Sequence, residues 1–423
     1  MLENGHLVAE RQLIIRGARC SLGPRTTSQA SIQITGDRIT RIFKHPHPLL
    51  DTAPGPADIN LNGFLVLPGF VNAHDHLQFA LYPRMGNPPY RNYIEWGDDI
   101  HRRFASEIAR QHAIPKAVRL WWGGIRNLLG GVTTVCHHDP LWPELQKEDF
   151  PVRVVREYGW CHSLALGGDL REAYDATPVS RPFIVHACEG IDKQAREELW
   201  GLERLGVLDD CTVLVHGLAM NREGFDLIRE RGTSLIACPT SNRFLYREVP
   251  DPFLLSRIEK LAIGSDSSLT AEGDLLDEVS FATRILGIPA SAAYHMVTTA
   301  AAAILRLGDT QGSIKEFGVA DLIAVRDTGR DPADRLDTLS MKDVELVMVG
   351  GRVHLAAEAM LERLPFAVRH GLEPLSVDGA VRWLRAPVRA LLQQAEKVLG
   401  RGAVRLGSRK LLIPAGVMAE YVN

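Results

Sequence analysis

Residues 182–216 read PFIVHACEGIDKQAREELWGLERLGVLDDCTVLVH, and they carry the outline of the architecture. The runs FIVHA and TVLVH are short, apolar and rich in β-branched residues, so each reads as a strand buried on both faces. Between them, QAREELWGLERL places apolar residues at helical spacing. A strand, a helix and a second strand of this kind form a parallel βαβ unit.

Outward from this unit the same alternation continues. LVLPGFV (65–71), GVTTVC (131–136), VRVV (152–155), TSLIAC (233–238) and KLAIG (260–264) read as strands, and AVRLWWGGIRNLL (117–129) and GFDLIRERG (224–232) as helices. Six to eight such units close a barrel, so the expected fold class is α/β, a TIM-like (β/α)8 barrel over residues 64–317. SIQITGDRITRIF (31–43) alternates around a Gly-Asp turn and reads as a hairpin. Strand-like runs return in 312–326 and 344–356, so residues 1–63 together with 318–360 are expected to form a small β-sandwich domain built from both ends of the chain. The i, i+3/i+4 apolar spacing of residues 380–400 predicts an amphipathic helix, and 361–423 is read as a helical extension packed on the body.

Composition limits the function classes. The 423 residues are 45% apolar and 23% charged, and 48 Lys+Arg against 51 Asp+Glu leave a net charge of −3, which gives no basis for nucleic-acid or anionic-membrane binding. The opening MLENGHLVAERQLII lacks the apolar stretch of a signal peptide, and no run reaches 18 apolar residues, so neither a leader nor a membrane span is expected. Six singly spaced cysteines without a CxxC pair suit a reducing cytoplasm. The 15 histidines are the conspicuous feature, because several close apolar runs.

Four strand-like runs end in a side chain able to bind a metal. PGFVNAHDHLQ (68–78) carries His74 and His76, two apart and on one face if the chain is extended there. PFIVHACEG carries His186, with Glu189 three residues on; TVLVHG ends at His216, and LAIGSD at Asp266. Taken singly, HxH is also turn material, a strand-final His is also structural, and Asp266 or Glu189 is also a helix cap. In this order, each after its own strand, the residues converge on the C-terminal rim of a barrel, where barrel active sites lie.

With these residues in place, the sequence resembles the amidohydrolase superfamily over residues 12 to 355, through PGFVNAHDHL, GVTTV, HACE, HG, CPTSN and the strand-final Asp266. It is most similar to the aminohydrolase branch of cytosine, S-adenosylhomocysteine and triazine deaminases and chlorohydrolases, whose hallmark Glu three residues after the third metal His corresponds to Glu189. The resemblance implies one divalent metal ion, Zn²⁺ or else Fe²⁺, held by His74, His76, His186 and Asp266, with Glu189, His216 and Asp266 as catalytic groups. Binuclear members need a bridging Lys at the end of the fourth strand. No lysine lies between Lys147 and Lys193, so a single ion is expected, with Glu157 or Cys161 as the alternative bridges. Substrate contacts are expected from Gln78, Trp96, His138 and Asn242, although Trp96 is also a core residue type, His138 an orienting or structural histidine and Asn242 a turn former.

The resemblance implies a small-molecule substrate and allows a homodimer, with no interface legible. Its leading reading is deamination at an amidine-like carbon of a planar nitrogen heterocycle or guanidine-like molecule. Hydrolysis of a cyclic or linear amide on the same centre is the alternative, and a non-catalytic barrel used for binding or assembly is a third. One departure stands out. Fewer than fifty residues separate His138 from His186, where the resembled branch spends two full strand-helix units, so the barrel is expected to be distorted or open at strands three and four.

Overall fold

The computed structural model describes residues 12–45, 57–271 and 273–414. The stretches 1–11, 46–56 and 415–423, which fall within the terminal units and the leader reading above, lie outside the described residues.

The chain opens with β1 (Gln12–Ser21), β2 (Thr27–Thr35) and β3 (Arg38–Lys44), paired antiparallel in succession. The Gly-Asp turn between β2 and β3 is present, with Gly36 at φ +62°, a conformation glycine adopts without steric cost. Alternation puts Ile15, Ile32, Ile34 and Ile39 into one buried face. Next come β4 (Asp58–Asn60) and β5 (Phe64–Pro68), both parallel to β1. β5 begins the segment expected to start the barrel, yet it belongs to this first sheet.

The barrel strands follow: β6 (Phe70–Asp75), β7 (Val132–His137), β8 (Arg153–Val154), β9 (Gly159–Ser163), β10 (Phe183–Ala187), β11 (Thr212–His216), β12 (Ser234–Ala237) and β13 (Leu261–Ile263). All pairings among them are parallel. They form two arcs, β6-β7-β8 and β9-β10-β11-β12-β13. Side chains alternate as such a fold requires: Ile184, Val213, Val215, Ile236 and Ala262 fill the interior, while Phe183, Val185, Leu214 and Leu235 meet the surrounding helices.

The shortage of chain before His186 has a definite outcome. Only four residues, 155–158, join β8 to β9, far fewer than the dozen or more that a crossover between adjacent parallel strands needs. The two are therefore successive, offset segments of one stave, β8 pairing with β7 and β9 with β10. The architecture is TIM-barrel-like, and at the place where a distortion was expected, strands three and four, no helix separates the two segments.

After the barrel, β14 (Leu322–Arg326) pairs antiparallel with β5, and β15 (Val344–Val349) and β16 (Arg352–Ala357) continue from it. The sheet then extends through β17 (Glu373–Val377), β18 (Ala380–Leu384), β19 (Arg405–Leu406) and β20 (Arg409–Leu412), so twelve strands from both ends of the chain form one hydrogen-bonded sheet. This corrects the helical reading of 361–423. Residues 380–384 are a strand, and the helix runs only from Val388 to Leu399, with Pro387 at its N-cap. Proline is tolerated at a helix start but not in the interior, so it divides the two elements.

The helix Pro239–Tyr246, which follows β12 and carries Asn242, is anchored from below by a buried carboxyl. Glu278 accepts from the Thr240 backbone N–H at 3.1 Å and from the Thr240 hydroxyl. Burial, with a contribution from Asp266, raises Glu278 to about 8 against the Thr240 hydrogen bonds. The folded protein then holds a proton that the unfolded chain releases near the ordinary value of about 4.3, so this stability is present below that pH and is lost as pH rises toward 8. Glu278→Gln, which never ionises, should therefore gain thermal stability relative to the parent as pH is raised from 5 to 8. Parallel melting curves across that range would show no divergence if the group did not titrate this way.

Candidate metal centre and active site

The first two histidines reach the site through an irregularity. Val71 and Ala73 point into the barrel, so strict alternation would send His74 outward. The β6-β7 register shifts between Asn72 and Asp75, and this bulge turns His74 inward and Asp75 out toward the helix Lys116–Leu129. Gly264 makes room, since a Cβ there would lie 2.5 Å from the His74 Cβ. His216 and Asp266 are re-aimed differently. Each has a left-handed backbone, at φ +76° and +51°, which non-glycine residues adopt only when their surroundings hold them there. Leu214 faces outward, and the twist at His216 swings its ring off that phase toward the centre.

The four imidazoles share one arrangement. Cys161 C=O can only accept, so His138 Nε2–H donates to it at 3.1 Å, and the bare Nδ1 of His138 accepts from His74 Nδ1–H at 3.3 Å. His186 Nδ1–H donates to His162 C=O at 2.8 Å, His76 Nδ1–H to Asp139 at 2.7 Å, and His216 Nδ1–H to Asn242 Oδ1 at 3.1 Å. Every Nδ1 is thus occupied and every Nε2 is turned inward. His74 Nε2 lies 3.2 Å from His186 Nε2, His76 Nε2 is 3.8 Å and His74 Nε2 3.9 Å from Asp266 Oδ1, and His216 Nε2 is 4.0 Å from Asp266 Oδ2. Burial, then the neighbouring imidazoles, keep His74 and His186 well below the ordinary range, so both are neutral. Two bare nitrogen lone pairs facing each other at 3.2 Å, beside a carboxylate, are a donor set matched to a divalent cation.

Two carboxyls flank this set with opposite tendencies. Burial is the largest influence on both. It raises Glu189, whereas at Asp266 the charges of His216 and His76 overcome it and hold the group below the usual carboxylate range. Asp266 also accepts from Ser267 N–H at 2.6 Å and from the Thr270 hydroxyl at 3.1 Å. Glu189 stands 3.6 Å from His216 Nε2 and accepts from the Tyr246 hydroxyl at 3.0 Å. A site whose carboxyls are pushed apart in this way has an acid and a base assigned by environment.

The Amidohydrolase family profile matches residues 169–354. Over that stretch the chain is similar to the amidohydrolase superfamily. Among curated relatives, it is 32% identical over 184 residues to a 5-methylthioadenosine/S-adenosylhomocysteine deaminase of Haloquadratum walsbyi, a match spanning 39% of this chain and 41% of that protein. A protein of the same description from Syntrophobacter fumaroxidans is 24% identical over 327 residues, spanning 63% of this chain and 73% of the relative. Among solved structures, an adenosine deaminase from Xanthomonas campestris with bound zinc superposes with a TM-score of 0.64 at 19% identity, covering 91% of this chain and 97% of the other.

The expected substrate contacts divide. Gln78 is buried and its amide N–H donates to Asp139 at 2.6 Å, which leaves its Oε1 without a partner among the described residues. Asn242 accepts from His216 and keeps its Nδ2 unpartnered in the same sense. Trp96 donates its indole N–H to Met85 C=O at 3.0 Å and packs among the apolar side chains around Tyr82 and Tyr90, which is its core reading. Both ring nitrogens of His138 are engaged and its ring stacks on His186 at 4.3 Å, which is the arrangement of its orienting reading. The alternative metal bridges are turned away. Glu157 pairs with Arg181 at the surface, and the Cys161 thiol points to the Gly167 carbonyl at 3.4 Å.

Several functional residues escaped the sequence. Asp139 directly follows the His137-His138 pair and gives His76 a carboxylate partner. Burial pushes His76 down, but Asp139 outweighs it and raises the ring to about 9. Arg126, in a helix that reads as ordinary apolar packing, donates to Asp75 at 3.4 Å, to the Asp266 carbonyl at 3.2 Å and to Gly273 C=O at 2.8 Å. Burial raises Asp75, opposed by Arg126 and by an Asn127 hydrogen bond of 2.7 Å. Asp139→Asn is expected to weaken zinc binding by about 10–100-fold, the usual cost of losing a partner behind a metal histidine. Competition with a chromophoric chelator measures it, and an affinity equal to the parent's would remove Asp139 from this role.

Proposed function

We propose that this chain is a mononuclear metal-dependent aminohydrolase, converting an N=C–NH₂ group of a planar nitrogen heterocycle, with water, to the carbonyl and ammonia. The observation that carries the reading is the convergence of four Nε2 atoms with their Nδ1 atoms all engaged, next to a raised carboxyl, Glu189, that lies outside the donor set. His74, His76, His186 and Asp266 would hold the ion. When bound, a divalent cation there lowers the pKa of a coordinated water to about 7.

The chain's own residues do the rest. Glu189, held by Tyr246 and raised by burial, gives its proton to the ring nitrogen, which makes the adjacent carbon electrophilic. Asp266, kept ionised by His216 and His76, takes one proton of the water and passes it to the departing nitrogen, and the second returns to Glu189 as the carbonyl forms. His216, fixed by Asn242, steadies the charge that develops at the attacked carbon's oxygen. Gln78 Oε1 and Asn242 Nδ2 are the unpaired acceptor and donor left for the substrate.

The names of the curated relatives make a purine nucleoside of the adenosine type the first candidate. A cytoplasmic location goes with this reading and is supported by six free, buried cysteines. So does the reading of residues 1–63 with 318–360 as a β unit distinct from the barrel, supported by their shared sheet. A homodimer is also part of the proposal.

The test is ammonia release from adenosine, 5-methylthioadenosine, pyrimidines, triazines, pterins and guanidino compounds, with amides followed in parallel. Elemental analysis should give about one ion per chain, and a chelator should abolish turnover while circular dichroism stays folded. Release from amides alone, or two ions per chain, would overturn the reading.

A further inference from the structure

A cavity of about 640 Å³ lies away from the histidine cluster, beside the stave formed by β8 and β9. Its walls come from the 145–157 connection, from Leu305–Gln311 and from the turn between β15 and β16. Thr134, on its floor, precedes His138 by four residues, a distance of about 13 Å along a strand. Five cations line it, Lys147, Arg153, Arg156, Arg306 and Arg352, against three carboxylates, Asp37, Glu148 and Glu157.

Pairing widens that imbalance. Glu157 is taken by Arg181 and Asp37 by Arg38, while Arg306 is taken by Asp210. Arg153 reaches Asp321 at 3.5 Å, and its Nε is buried without a partner among the described residues. In the ion pairs formed among the described residues, Lys147, Arg156 and Arg352 have no carboxylate; Arg156 touches only the Gln146 carbonyl, at 2.8 Å. Glu148 is the single carboxylate left to oppose them. Leu307, half-buried, offers an apolar surface against which a flat organic body can rest, backed by the buried Phe150, Val152 and Leu305. The volume falls within the 300–1,000 Å³ of small-molecule sites, and guanidinium forks match phosphate oxygens in pairs.

We propose that this cavity binds the phosphate ester of a small molecule with a planar body, a site separate from the histidine centre and independent of what that centre catalyses. The cavity exists because 139–152 forms only a single short 3-10 turn, Pro143–Gln146, where a full helix would cover this flank.

AMP serves as the probe, by titration calorimetry on the zinc-loaded protein at fixed ionic strength. Submillimolar binding is expected, and Arg156→Gln combined with Arg352→Gln should weaken it by at least 10-fold. Both side chains are exposed, so the variant should melt with the parent, and Arg352→Gln alone gives a second reading if it does not. Adenosine separates the sources of affinity: its binding should be unchanged in the variants, because it has no phosphate for the arginines. AMP binding that survives both substitutions, that potassium chloride reproduces, or that is absent altogether overturns the site.

Discussion

Glu189→Gln should lower deamination by at least about 10²-fold, and by up to about 10⁴-fold, while the metal content of the protein stays at the parent level. Glutamine keeps the volume and can still accept from the Tyr246 hydroxyl, so the 3.0 Å contact and the packing of this buried residue survive. What it loses is the transferable proton. The retained metal follows from geometry: the Nε2 atoms that face one another belong to His74, His76 and His186, and Glu189 approaches only His216. Single-turnover rates with a heterocyclic substrate, measured with elemental analysis of the same sample, separate the two effects. A variant that turns over at the parent rate would show that ring protonation does not come from Glu189.

Arg126→Met should cost about 3–5 kcal/mol of stability, because it leaves Asp75 buried without its cation. The pair is almost fully enclosed, with side-chain exposures of 5% and 1%. Asn127, Asn72 and Ser265 remain as donors, and these neutral groups do not replace the cation that an ionised carboxylate needs at that depth. Adding Asp75→Asn should recover most of the loss, since the uncompensated charge is gone. Urea midpoints of the parent, both single variants and the double variant form the cycle. If Arg126→Met unfolds at the parent midpoint, the pair contributes nothing. Arg126 also donates to the carbonyl of Asp266, whose left-handed backbone needs holding, so the single variant should bind zinc more weakly than Asp75→Asn does.

Much of the site was legible because its residues end strands, and apolar runs followed by His or Asp survive in a bare sequence. The route by which they converge was not. The HxH spacing suggested one extended face, whereas a bulge aims His74, and left-handed turns aim His216 and Asp266; tertiary contacts impose these conformations, and no local pattern announces them. Asp139 directly follows His138 in the sequence, but only the folded chain brings it to His76. Arg126 was hidden by its apolar helix. At strands three and four the deficit of residues was visible, while its resolution as a single offset stave required the pairing partners. In AVRWLRAPVRALL, strand alternation and helical spacing overlap, and Pro387 is the residue that separates them.

The two arcs of the barrel meet without a regular ladder between β6 and β13, and on the other side through the offset stave of β8 and β9. On one side Asp266 N–H donates to His74 C=O at 3.1 Å, and on the other the His138 ring reaches the Cys161 carbonyl. Both bonds belong to the active centre, and the proposed ligands are drawn from both arcs, His74 and His76 from one, His186 and Asp266 from the other. The centre is therefore also the clasp of the fold. The two arcs also share the barrel interior, where Val71, Ala73 and Cys136 pack with Ile184, Val213 and Val215. Opening the clasp would loosen that shared core, and amides on β6–β8 and on β9–β13 would lose exchange protection together.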